Sequence, residues 1–111
     1  MERRMLESDW KLFCKFRPLA LERYCQRVLD EIRPLCDVSG ESSHERYLAV
    51  FRLVEERDKR LADLFNSPRR STAFFQLAHI HAEGLLTEDE FACFSEELHA
   101  VVQLILDIGN V

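Results

Sequence analysis

Turn-forming residues are scarce in this chain, with three Gly and three Pro among 111 residues. A sandwich or barrel of many short strands needs far more of them, so those folds are excluded. No uninterrupted apolar stretch follows the charged residues 1–7, so no secretory signal is expected. The most apolar segment, residues 98–108, is interrupted by His99, Gln103 and Asp107. It also falls short of the roughly 20 residues that span a bilayer. A soluble, cytoplasmic protein without membrane contact is therefore expected. Cys14, Cys25, Cys36 and Cys93 form no C-x-x-C pair, which leaves neither a zinc ribbon nor a thioredoxin-type motif. They are expected as reduced, buried thiols acting as small apolar residues. The glycines, at 40, 84 and 109, are too far apart to cradle a phosphate. Lys is rare, three against 12 Arg, a bias that points to a GC-rich, bacterial genome.

What is present is apolar surface. At 47% hydrophobic, with one Trp, two Tyr and eight Phe, the chain is too apolar to be disordered. The net charge of −5 argues against a cationic nucleic-acid binder. That charge is unevenly spread: residues 1–70 carry all 15 basic groups and 13 acidic ones, whereas residues 71–111 carry seven acidic groups and none basic. Docking of the acidic segment on the Arg-bearing helices, within the chain or across a dimer, is the physical expectation.

Helix signals dominate. Ser8 and Asp9 can cap a short first helix over residues 10–16, which Arg17-Pro18 should end, because the residue before proline is pushed out of the helical region. A second helix, over 18–36, carries Leu21, Cys25, Val28, Ile32 and Leu35 at steps of three and four, with Pro34 ending or kinking it. The eleven-residue spacing of Cys14, Cys25 and Cys36 would align them on one continuous helix, which Pro18 and Pro34 argue against. Ser42-x-x-Glu45 is a capping box opening a third helix over 43–65. Ser67 and Pro68 suit the N-cap and first position of a fourth, which runs to Glu83 before Gly84. Thr87 and Glu90 form another box, before a last helix reaching about Asp107 with a joint at Ser95. Short connections favour antiparallel neighbours. The expected fold is all-α: a single domain, 1–111, built as a compact antiparallel helical bundle of four main helices plus a short N-terminal helix.

Few residues suggest chemistry. In the run Glu55-Glu56-Arg57-Asp58-Lys59-Arg60, Arg57 or Asp58 falls where the apolar stripe should continue, so either could face a cleft. His81 projects beside Phe74, Leu77 and Ala78, away from the polar face of Thr72, Gln76, His79 and Glu83. Glu96-x-x-His99 matches one element of di-iron carboxylate bundles, but the partner motif is missing. A helix-turn-helix over 76–98 would present Glu88, Asp89 and Glu90 to phosphates, which excludes DNA reading. No oxygen-rich loop follows the EF-hand-like Leu85–Phe91 stretch, so no calcium is implied. No catalytic arrangement and no cofactor are indicated.

The last helix says most. From 98 to 108 eight residues are apolar, and its three polar ones lie four apart in one narrow stripe. A surface helix of a small bundle normally exposes a wider polar face. Either the helix is central, or Leu98, Val101, Val102, Ile105 and Leu106 include a surface for another protein, a second copy being the commonest case. The expectation is a small non-catalytic helical protein acting through association with itself or a partner. A ligand- or metal-binding bundle using His81, Arg57, Asp58, Glu96 and His99 is the alternative.

Overall fold

A computed structural model describes residues 4–109, and every regular element in it is helical. The order is α1 (Glu7–Cys36), α2 (Ser43–Phe65), a 3-10 turn (Arg70–Thr72), α3 (Ala73–Ala82), α4 (Glu88–Ala92) and α5 (Glu96–Gly109). None of these helices is long and apolar enough to cross a membrane.

The break expected at Pro18 does not occur. The short first helix and the second are one rod of 30 residues with Pro18 and Pro34 inside it, about 45 Å long. Pro18 leaves the Cys14 carbonyl without its helical donor, a local cost of about 3 kcal/mol. Phe13, Phe16, Ala20 and Tyr24, all buried on one face either side of it, offset that cost through packing. Continuity also aligns the cysteines, each step of eleven residues turning only about 20°. They are not buried, however: Cys14, Cys36 and Cys93 are exposed and Cys25 is half-buried. The stripe of α1 that carries them lies off the Phe13–Tyr24 face.

Most helix ends follow local chemistry, although α1 begins at Glu7, behind Leu6 and without a side-chain cap, so that Ser8 and Asp9 lie inside it rather than capping it. Ser42 Oγ accepts from the Glu45 N–H at 3.1 Å. Thr87 and Glu90 complete a reciprocal box, at 3.1 Å and 2.8 Å. Gly84, at φ +75°, lets the chain leave α3 with Leu85 N–H on Ile80 O (3.2 Å) and Gly84 N–H on His81 O (3.0 Å), the paired bonds of a Schellman end. Ser67 departs as well: it takes a left-handed φ of 51° instead of capping, and α3 starts only at Ala73. Gln76 is accordingly buried, donating to Asn66 O (3.1 Å) and accepting from Arg17 Nε (3.2 Å).

α1 and α2 run antiparallel. The Arg17 guanidinium donates to Phe65 O, Tyr24 Oη to Arg57 O (2.8 Å), and Arg57 pairs with Glu31 (2.9 Å). The core occupies one end of this hairpin, where Phe13, Phe16, Ala20 and Tyr24 meet Leu64 and Phe65, α3, Phe94 and Leu98 with Val102. No residue between 25 and 63 is fully buried. The remaining length of α1 and α2 therefore projects as a two-helix arm. The all-α expectation holds, but the described residues are more extended than a compact bundle: they span 57 × 27 × 23 Å, with a radius of gyration of 17.2 Å, against about 13 Å for a globule of this length.

Arginines of α1 and α2 hold the acidic C-terminal segment. Arg23 grips Glu90 with both terminal nitrogens, at 2.6 and 2.9 Å, and also donates to Leu85 O. Arg27 donates to Glu83 O (3.0 Å), while Arg60 pairs with the Glu83 carboxylate (2.9 Å). The hydrogen bonds from Arg23 hold the Glu90 carboxyl down at about 2, from an ordinary 4.5.

Two outcomes follow from these contacts. Pro18→Ala is expected to stabilise the protein by about 1–3 kcal/mol in urea denaturation, because it restores a bond in a helix interior; no gain would mean that α1 is broken there. Glu90 titrates below its unfolded value, so its contribution is complete above pH 4.5 and is lost as pH falls towards 2. Arg23→Ala should cost on the order of 2 kcal/mol at neutral pH and flatten that acid limb.

Candidate functional site

α5 is fixed at its first turn from the far end of the chain. Asp9, buried in the first turn of α1, accepts from Ser95 N–H (2.9 Å) and Ser95 Oγ (2.6 Å), and Ser95 Oγ in turn accepts from Leu98 N–H (3.2 Å). The joint expected at Ser95 is thus a helix start whose capping hydroxyl is itself oriented by a buried carboxylate.

Set in this way, α5 has two apolar sides. Leu98 and Val102 are fully buried in the core, while Val101, Ile105 and Leu106 are half-buried. On the second side Val101, Leu104, Ile105 and Ile108, spaced as one helical stripe, form a wall of a groove of about 840 Å³. Met5, Phe74 and Phe75 form the rest of its apolar lining, with Arg4, Arg70 and Ser71 adding polar groups. Phe75, Leu104 and Ile108 are 58%, 54% and 68% exposed. Arg70 fastens the N-terminal edge of the groove: it pairs with Glu7 (2.7 Å), donates to Met5 O (3.2 Å) and lies 6.0 Å over the Trp10 ring.

Of the five α5 residues singled out by sequence, two thus belong to the core and two, Val101 and Ile105, line the groove. Leu104 and Ile108 were missed, although the 101, 104, 105, 108 spacing is a second helical stripe legible in the sequence. Arg4 and Arg70 carried no local signal, since only folding brings residues so distant in the chain to one groove.

The polar candidates separate into different places. Arg57 is half-buried against α1 through Glu31, and Asp58 beside it is exposed rather than in a cleft. Glu96 is exposed as well. His81 and His99 do come together, flanking Phe91 with ring centroids 3.8 and 4.4 Å from its own. His99 Nε2 meets Phe91 O at 2.8 Å, while the buried His81 Nδ1 has no partner among the described residues. Burial, and then the neighbouring His99, push the His81 pKa below 6.5. Among the described residues no three of His, Cys, Asp and Glu stand close enough to hold a metal ion.

No family model matches the chain, nor does any curated protein or solved structure.

The His81 stack sets a pH response. In the unfolded chain His81 takes up its proton near 6.5, before the folded state does, so stability should decline as pH falls below 6.5. Urea midpoints at pH 7.5 and 5.5 should differ in this direction, and His81→Phe, which keeps a ring against Phe91, should shrink the difference.

Proposed function

We propose that the protein is a non-catalytic association module whose docking surface is the groove between α3 and α5. The observation that carries this reading is the contiguous apolar lining of that groove, on which three large side chains stay more than half exposed. Surface of this kind on a small helical domain is characteristic of a protein–protein site. The occupant that fits is an amphipathic helix of a partner protein, its apolar residues laid along Val101, Leu104 and Ile108 and an acidic residue turned towards Arg4 and Arg70. A cytoplasmic location and a bacterial source are part of the same reading, supported by sequence composition. The alternative, a ligand or metal held by His81, Arg57, Asp58, Glu96 and His99, has less support: the two histidines stack on Phe91, Arg57 is paired with Glu31, and Asp58 and Glu96 are exposed.

The test uses exposed positions, since charge at Leu98 or Val102 would only disrupt the core. A photo-crosslinking amino acid at Leu104, in the cell of origin, is expected to capture one discrete protein. Phe75→Glu or Ile108→Glu should abolish the product while leaving the helical circular dichroism intact. Crosslinking no stronger than from exposed Leu19, or indifferent to those charges, would defeat the proposal.

A further inference from the structure

We infer that the projecting arm of α1 and α2 pairs with the arm of a second copy to make a four-helix bundle at the centre of a homodimer. The inference is independent of the groove and starts from the two sides of the hairpin. Arg23 and Arg27 of α1 and Arg60 of α2 all reach the α3–α4 corner, at Glu83, Leu85 and Glu90. That corner defines the side of the hairpin turned to the rest of the molecule. At 100° per residue, Leu29 and Ile32 lie roughly 140–240° round α1 from those arginines, and Tyr47, Phe51 and Val54 roughly 120–180° round α2 from Arg60. All five therefore belong to the opposite side.

The two rows are also level. The pairing of residue 17 with 65 and of 24 with 57, continued along antiparallel helices, sets Leu29 beside Val54 and Ile32 beside Phe51. The result is an apolar ladder over which none of the described residues packs closely. Leu29 is 50%, Tyr47 66%, Phe51 53% and Val54 43% exposed.

A second copy is the occupant that these features select. A helical hairpin with a half-buried seam and one apolar side open is half of a four-helix bundle, and an identical half completes it. Aromatic side chains carry about 150–250 Å² each, so the exposed parts of the four residues give roughly 400 Å² per copy. Two copies with their flanking side chains reach about 1,000 Å², the size at which interfaces become specific.

Sedimentation equilibrium of the full chain tests this. The wild type is expected to sediment at twice 13.1 kDa. Phe51→Glu, at an exposed position, should raise the dissociation constant at least tenfold while keeping helicity and the groove crosslink. A monomeric wild type would overturn the inference. So would a dimer indifferent to Phe51→Glu, or one dissociated by Leu104→Glu, which would place self-association in the groove instead.

Discussion

Because α1 continues through Pro18, one side of a single rod presents Phe13, Phe16, Ala20 and Tyr24 in register, with Arg17, Arg23 and Arg27 at set intervals beside them. Every later element takes its position from that rod. α2 lies along it, the α3–α4 corner is gripped by its arginines, and α5 begins where its first turn supplies Asp9. A break at Pro18 would let the two halves rotate independently, and the aromatic face and the arginine row could not both stay aligned.

Part of the charge is balanced within the chain. The segment after residue 70 has no basic group of its own, and its acidic residues Glu83 and Glu90 are neutralised by Arg60 and Arg23. Such pairs are modest individually when exposed to solvent. Their effect here is positional: Arg23 also holds the Leu85 carbonyl just past the Gly84 turn, and Glu90 also closes the cap of α4. One carboxylate thus serves a helix end and an interhelix contact together, which is why its proton affinity falls so far.

Much of the local architecture is legible in the sequence, because helix caps are short-range chemistry. Ser42, Gly84, Thr87 and Ser95 act as local rules require. Pro18 misleads because a local penalty is outweighed by burial on both sides of it, which no short window reveals. Ser67 misleads for a related reason: beside its left-handed backbone, Gln76 ties Asn66 to Arg17 through contacts that no local window contains. The groove is half legible. The sequence makes α5 apolar on two sides, but Leu98 and Ile105 look alike until Phe94 and the α3 residues choose which of them is core. The arm is the least legible feature, because its unbroken stripes read as ordinary bundle faces when nothing says that the remaining helices gather at one end.

The bond from Asp9 to Ser95 has a consequence for how the chain acquires this shape. It joins residues 86 positions apart, and the entropy of closing a loop rises with its length. The α1–α2 hairpin, by contrast, zips from the short turn near Gly40 through contacts between nearby positions. Helical hairpins with such short-range contacts assemble fast, whereas long-range closure comes late. The cap of α5 therefore waits on α1, and the arm is complete before the groove exists.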